Sequence, residues 1–232
     1  MSYDVIFFDA DDTLYDYAQS EAHALAESFR EAKLEVSEQL TGSYRTINQQ
    51  LWREYEQGAI DLALLRSERF ARLIADNGLT IPWTAEEFSQ AYLRYLGEGS
   101  FLMDGAVEIC RELLAGGHRL AIITNGIREV QLSRIGRSEL ADAFEHIIVS
   151  EDAGIQKPNP AIFDFAFAKL NLTGSRNALI VGDSLTSDMQ GGINAGIDTC
   201  WYNPLRKPNM TAVKPKYEIH HLSELIPIIG LG

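Results

Sequence analysis

Near its start the chain carries Val5-Ile6-Phe7-Phe8-Asp9-Ala10-Asp11-Asp12-Thr13-Leu14, an apolar run of strand length that ends in a group of carboxylates. Acids that follow a buried strand repel one another and lose hydration, and each unpaired buried charge is costly. The segment therefore predicts either a bound cation at the strand end or a solvated turn after an edge strand. The rest of the sequence has to decide between these two readings.

Beyond Leu14 the pattern changes from short apolar runs to amphipathic helices and stays helical to about Gly99. Apolar residues recur at spacings of three and four, and Thr84-Ala85-Glu86-Glu87 has the form of a capping box. The predicted helices are 17–33, 40–57, 62–76 and one that begins at Thr84. We expect residues 15–99 to form a helical domain of their own, inserted into a second domain of residues 1–14 and 100–232.

From Gly105 onward, helical and strand patterns alternate. The predicted strands are 120–124, 146–149, 178–181, 199–202 and 217–220, and the predicted helices are 106–114, 129–138, 159–170, 187–194 and 222–229. Such alternation is typical of a parallel sheet that is covered by helices on both faces. The fold class predicted is α/β, a Rossmann-like parallel sheet core with an inserted helical-bundle cap domain.

Composition and charge exclude several kinds of partner. The 232 residues carry a formal net charge of -13, and no basic stripe is present that a polyanion would require. We therefore expect no nucleic-acid polymer and no membrane as partner, although a small phosphate compound can bind if a cation reverses the local field. The two cysteines, Cys110 and Cys200, follow no metal or disulfide pattern, and the strand begins too early for a signal peptide. A cytoplasmic protein is expected.

Polar residues follow the predicted strands at the edge where ligands bind in open α/β sheets. Asp9 and Asp11 follow the first strand, and Thr124-Asn125-Gly126 closes the second. Lys157 comes after the third, and Gly182-Asp183 with Asp188 comes after the fourth. Taken singly, each could be a loop residue or a helix cap. Taken together, they predict one site.

These four segments resemble, in order and across the whole chain, the four motifs of the haloacid dehalogenase-like superfamily: D-x-D-x-T, a strand ending in Thr, a Lys before Pro, and G-D-x-x-x-x-D. The helical insertion resembles the superfamily's helical cap. Within the superfamily, Asp-Ala-Asp-Asp-Thr-Leu and Thr-Asn-Gly are most similar to the pyrimidine 5′-nucleotidase group. The resemblance implies a Mg²⁺-dependent phosphoric monoester hydrolase that acts through an aspartyl phosphate on a small-molecule phosphate substrate, with a nucleoside 5′-monophosphate as the first candidate.

Phosphoryl transfer assigns a role to each residue beside that resemblance. Asp9 is the expected nucleophile, and Asp11 the acid for the leaving group and the base for water. Thr124, Asn125 and Lys157 are expected to bind the phosphate, with Thr124 and Lys157 also catalytic. The expected Mg²⁺ ligands are Asp9, the main-chain carbonyl of Asp11, and Asp183, and Asp188 is expected to orient a ligand or Lys157.

Several alternatives stay open at this point. The chain could be another phosphatase of the superfamily, such as a phosphoglycolate or sugar-phosphate phosphatase, or else a phosphomutase, a dehalogenase or an inactive binding module. A dehalogenase needs neither a metal nor an acid for an alkoxide, so Asp11 and Asp183 speak against it. Aromatic residues of the cap such as Trp52 and Tyr92 could stack on a nucleobase, although helical spacing favours a core position. Monomer and homodimer are both compatible with the sequence.

Overall fold

The computed structural model describes residues 3–172 and 177–230. Residues 1–2, 173–176 and 231–232, which the sequence assigns to the sheet domain, lie outside this described part. The chain divides into two compact units, one of Ala18–Gly99 and one of Met1–Tyr17 with Ser100–Gly232. Each unit is described by itself.

The larger unit is built on a parallel sheet. Its strands in the described residues are β1 (Val5–Phe8), β2 (Arg119–Thr124), β3 (His146–Val149), β4 (Ala178–Gly182), β5 (Asp198–Tyr202) and β6 (Tyr217–Ile219). They pair in the order β3-β2-β1-β4-β5-β6, and every neighbouring pair is parallel. The predicted α/β fold with a parallel, Rossmann-like sheet is confirmed.

Continuous apolar strands reflect burial on both faces of this sheet. In β1, Ile6 and Phe8 belong to one hydrophobic core, whereas Val5 and Phe7 belong to the core on the opposite face. Successive side chains of a strand point to opposite sides, so an apolar run without alternation is what a doubly covered strand requires. Polar residues can therefore gather at the ends of the strands, outside these two cores.

The helices have bounds close to those predicted from periodicity. They are α1 (Tyr17–Glu31), α2 (Glu38–Glu56), α3 (Leu62–Asp76), α4 (Ala85–Glu98), α5 (Ala106–Ala115), α6 (Arg128–Arg137), α7 (Ser150–Ala153), α8 (Ala161–Lys169), α9 (Gln190–Ala195) and α10 (Leu225–Ile229). The capping box of α4 is present, with Thr84 and Glu87 bonding reciprocally. The predicted helix 187–194 instead begins with a π-helical turn, Leu185–Met189, and α7 was not predicted because four residues carry no periodic signal.

The unit Ala18–Gly99 has an aromatic core of its own. The ring of Phe70 lies 5.4 Å from Tyr44, 4.9 Å from Phe88 and 5.2 Å from Tyr92, measured between centroids. Tyr92 is fully buried there, so it is a packing residue, as helical spacing favours. Trp52 is only partly buried.

Both cysteines are free and buried, as the absence of any pairing pattern suggests. Burial raises the pKa of Cys110 to about 12, so this thiol is protonated at neutral pH.

In the part of the chain that the structure describes, no helix combines the length and the apolar character that crossing a membrane demands.

Candidate active site

The site lies at the carboxyl edge of the sheet, where the order of strands reverses. After β1 the chain moves outward to β2 and β3 and then returns to β4 on the other side of β1. The Asp9 N–H donates to the main-chain oxygen of Val181 over 2.9 Å, which places Asp9 beside the end of β4. This topological switch point is the usual ligand-binding crevice of open α/β sheets.

Lys157 ties two carboxylates together inside this crevice. Its Nζ donates to Asp9 Oδ1, to Asp188 Oδ1 and to the main-chain oxygen of Ile123, each over 2.6 Å. The Lys157 side chain is 1% exposed, whereas that of Asp9 is 12% exposed. An ammonium has three hydrogens to donate, so Lys157 is fully bonded and its position is fixed. Asp9 remains within reach of a ligand.

Asn125 holds the main chain of Lys157 in place. The Lys157 N–H donates to Asn125 Oδ1 over 2.9 Å, and Asn125 Nδ2 donates back to the Lys157 main-chain oxygen over 2.9 Å and to Ser187 Oγ over 3.3 Å. Both amide hydrogens of Asn125 are thereby engaged. The side chain of Asn125 thus positions Lys157. Substrate contact by Asn125 stays a prediction, and the contact would have to be made by main-chain atoms of Asn125.

The Thr124 hydroxyl lies at the end of β2 and is buried. Its Oγ1 accepts the N–H of Gly126 over 3.0 Å, which shapes the turn after the strand. A hydroxyl that accepts one bond keeps its own hydrogen for another acceptor. That hydrogen is available for a phosphate oxygen, as the predicted role requires.

The two remaining acids, Asp183 and Asp188, lie in the segment that follows β4. Asp188 Oδ2 accepts the N–H of Ser184 over 3.0 Å, and Trp201 Nε1 donates to the main-chain oxygen of Asp183 over 2.8 Å. A Cβ on Gly182 would lie 2.6 Å from the Cβ of Asp188, closer than real contacts allow. Glycine at position 182 is therefore needed for Asp188 to fold back onto the end of β4.

Burial and neighbouring charges shift the acid–base properties of this cluster. Burial raises the pKa of Asp9 to about 7; Lys157 opposes the increase, and the charges of Asp188 and Asp11 add to it. Burial, followed by the charges of Asp188 and Asp9, raises the pKa of Asp183 well above the usual carboxyl value. Burial lowers the pKa of Lys157, but Asp188 and Asp9 outweigh it and the net pKa is raised. Protein charges alone thus leave the carboxylates poorly compensated.

The residues present fit a divalent cation. Carboxylate oxygens of Asp9, Asp183 and Asp188 lie within 4.8 Å of one another, and Lys157 forms ion pairs with Asp9 and Asp188 among these three acids. Asp188 already accepts bonds from Lys157 and Ser184 with its two oxygens, so Asp9 and Asp183 are the better candidates for ligands. Coordination by the main-chain oxygen of Asp11 stays a prediction.

Asp11 lies outside this cluster and contacts α6 instead. Gln131 Nε2 donates to Asp11 Oδ2 over 2.6 Å, and Arg134 Nη2 forms an ion pair with Asp11 Oδ1. The neighbouring Asp12 accepts the N–H of Tyr17, the first residue of α1, with its Oδ1 over 3.3 Å. The two acids of the first motif that follow Asp9 therefore have distinct surroundings.

Sequence reasoning missed Gln131, Arg134 and Trp201. Gln131 and Arg134 share the buried face of α6 with Val130 and Ile135, so two polar residues occupy positions of the apolar stripe. These two polar residues in the apolar stripe could have indicated a buried polar contact, because polar residues in a buried stripe need hydrogen-bond partners. Trp201 gave no comparable signal, because an aromatic residue within a strand is ordinary.

A family model of haloacid dehalogenase-like hydrolases matches residues 3–196. The chain belongs to this family. The resemblance found in the four sequence motifs is confirmed, and the strand-end residues that carry those motifs are the ones that the fold brings to one crevice.

Three relatives are similar to this chain over nearly their whole length. YfnB of Bacillus subtilis is 38% identical over 99% of this chain and 96% of its own. Its solved structure, which is bound to magnesium and reveals interdomain movement, has a TM-score of 0.91 with coverage of 99% of both chains. The pyrimidine 5′-nucleotidase YjjG of Escherichia coli is 32% identical over 97% of each chain, and the pyrimidine 5′-nucleotidase PynA of Streptococcus pneumoniae is 32% identical over 97% of this chain and 94% of its own.

Proposed function

We propose that the chain is a Mg²⁺-dependent phosphatase that hydrolyses a nucleoside 5′-monophosphate, with a pyrimidine base preferred, through an aspartyl phosphate on Asp9. The observation that carries the proposal is the contact of 2.6 Å between Lys157 Nζ and Asp9 Oδ1 inside the three-acid cluster. A carboxylate can attack a phosphate dianion only where positive charge offsets their repulsion. The names of YjjG and PynA support the substrate class.

In the first step an Asp9 carboxylate oxygen forms a bond to phosphorus while the ester P–O bond breaks. Asp11 gives a proton to the departing alkoxide. In the second step water attacks phosphorus, the bond to Asp9 breaks and Asp11 accepts the proton of that water. Throughout, Lys157 stabilises the phosphoryl group by its positive charge, and the Thr124 hydroxyl donates to a phosphoryl oxygen.

Mg²⁺ bound by Asp9, Asp183 and the main-chain oxygen of Asp11 would neutralise charge on the phosphoryl group. Binding of magnesium by YfnB supports this cofactor. Asp183 and Asp11 also separate the proposal from a dehalogenase, which needs neither a metal ligand at the first position nor an acid at the second.

We also propose that the unit Ala18–Gly99 is a cap that selects the substrate. Support comes from its place in the chain, between the loop that carries Asp11 and strand β2, and from the interdomain movement described for YfnB. Trp52 is the better residue to test, because Tyr92 belongs to the core of its own unit. Trp52→Ala should lower kcat/KM for a nucleotide more than for p-nitrophenyl phosphate, at an unchanged melting temperature; equal losses would show that Trp52 does not select the substrate.

The deciding experiment measures phosphate release from pyrimidine and purine nucleoside 5′-monophosphates, phosphoglycolate, sugar phosphates and p-nitrophenyl phosphate, with Mg²⁺ and with chelator. We expect the highest kcat/KM for a pyrimidine nucleotide, loss of activity in chelator, and a loss of about 10³-fold or more in Asp9→Asn. Preference for a sugar phosphate or phosphoglycolate would refute the substrate class but not the chemistry. Phosphate moved to another position of a sugar, or halide released from a haloacid, would refute phosphatase activity.

A further inference from the structure

Two side chains of α6 hold the Asp11 carboxylate from the interior of the protein. Gln131 Nε2 donates to Oδ2 over 2.6 Å, and Arg134 pairs with Oδ1. The side chain of Arg134 is 1% exposed, while that of Asp11 is 29% exposed. Each carboxylate oxygen thus has a partner on α6, while the Asp11 side chain stays partly exposed.

These two side chains also fix one another. Gln131 Oε1 accepts from Arg134 Nη2 over 2.8 Å and from Nε over 3.2 Å, which determines which end of the amide faces Asp11. The guanidinium carbon of Arg134 lies 5.0 Å from the ring centroid of Tyr15, whose hydroxyl is 2.8 Å from Ser138 Oγ. The support of Asp11 is therefore a connected network and not a single flexible contact.

The loop after β2 is shaped around Gln131. A Cβ on Gly126 would lie 2.9 Å from Cδ of Gln131, so only glycine leaves room for this side chain to pass toward Asp11. Gly126 lies two residues after Thr124, whose hydroxyl accepts the N–H of Gly126. The need for glycine as the third residue of Thr-Asn-Gly is thereby explained by the packing of Gln131, which phosphate binding alone does not explain.

We infer that Gln131 and Arg134 are positioning residues that hold Asp11 for proton transfer to the leaving group and from water; this inference rests on the proposed phosphatase function. A carboxylate has about four acceptor positions, and the two contacts from α6 use one on each oxygen. The others stay free for the proton that is exchanged. A displacement of about 1 Å in such a group can cost about 100-fold in rate. The contacts by which Gln131 and Arg134 fix Asp11 therefore have a direct effect on turnover.

The test compares Gln131→Met and Arg134→Lys with the wild type on a series of aryl and alkyl phosphates of increasing leaving-group pKa. Esters with poor leaving groups should lose about 10- to 100-fold in kcat/KM in both variants. An ester that needs no proton, such as p-nitrophenyl phosphate, should change by no more than about threefold, so that the dependence on leaving-group pKa steepens. The matched control is Arg137→Lys on the exposed side of the same helix, which should leave the dependence unchanged.

Equal losses on all esters would overturn the inference, because they would indicate a general effect on packing or binding. So would an increase in kcat/KM, because it would mean that α6 holds Asp11 away from the substrate.

A double-mutant cycle separates this inference from the proposed function. If Gln131 acts through Asp11, Gln131→Met should cause no further loss for poor leaving groups in the Asp11→Asn background. An additional loss there would refute positioning while Asp11 kept its role. If Asp11→Asn itself lost kcat/KM equally on all esters, the acid assigned in the proposed function would be wrong, and the inference would fail with it, because kcat/KM does not include the later attack of water.

Discussion

Removal of the buried ammonium at position 157 tests the electrostatics of the site most directly. We expect Lys157→Met to destabilise the metal-free protein at pH 8 and to abolish activity. At an effective dielectric constant near 20, opposite charges 2.6 Å apart attract by about 6 kcal/mol, and Lys157 has two such partners, Asp9 and Asp188. Desolvation of the ions offsets most of this attraction, so the net loss of stability should be about 3–5 kcal/mol, typical when one partner of a buried ion pair is removed.

The loss should depend on pH in a defined direction. Burial raises the pKa of Asp9 to about 7 even though Lys157 opposes the shift, so the pKa of Asp9 in the variant must be higher still. Below about pH 7 the Asp9 carboxyl is protonated in both proteins. Between pH 7 and the higher pKa of the variant only the wild type has released this proton, so the variant loses stability relative to the wild type as the pH rises. The difference in stability between wild type and Lys157→Met should therefore be large at pH 8 and shrink toward pH 5.

The assay is urea unfolding in chelator at pH 5 and at pH 8, with Lys214→Met as the matched control. Lys214 is exposed in the loop before β6, so its substitution should change the free energy of unfolding by no more than about 0.5 kcal/mol. Phosphate release in Mg²⁺ gives the second readout, where Lys157→Met should lose about 100-fold or more. A Lys157→Met protein as stable as the control at pH 8 would refute the electrostatic reasoning.

Three further predictions concern the turn after β4 and the metal. The raised pKa values of Asp9 and Asp183 mean that protons compete with Mg²⁺, so calorimetric Mg²⁺ affinity should fall as the pH drops below about 7; an affinity independent of pH would contradict this. Gly182→Ala should displace Asp188 and cost about 1–3 kcal/mol in chemical unfolding; a neutral effect would mean that the turn adjusts freely. Trp201→Phe removes the bond to the Asp183 main chain and should weaken Mg²⁺ binding by about 1 kcal/mol, and unchanged binding would show that the bond does not hold Asp183.

The sequence by itself determined most of the secondary structure and which polar residues follow the strands. Strands such as β1 are short apolar runs, and helices such as α3 have a 3.6-residue apolar period, so both are encoded locally. Polar residues just after the strands had to meet at one edge, because parallel strands end on the same side of a sheet. The exceptions were α7, too short for a period, and the π-helical turn before α9.

Only the tertiary structure decided which of those residues touch. Lys157 and Asp9 are 148 positions apart, and Arg134 and Asp11 are 123 apart, so no local pattern encodes their contacts. The order of strands places β4 and not β3 beside β1, and packing of α6 turns Gln131 and Arg134 toward Asp11. Such contacts arise from the joint burial of distant segments, and for that reason the support of Asp11 became visible only once the chain was folded.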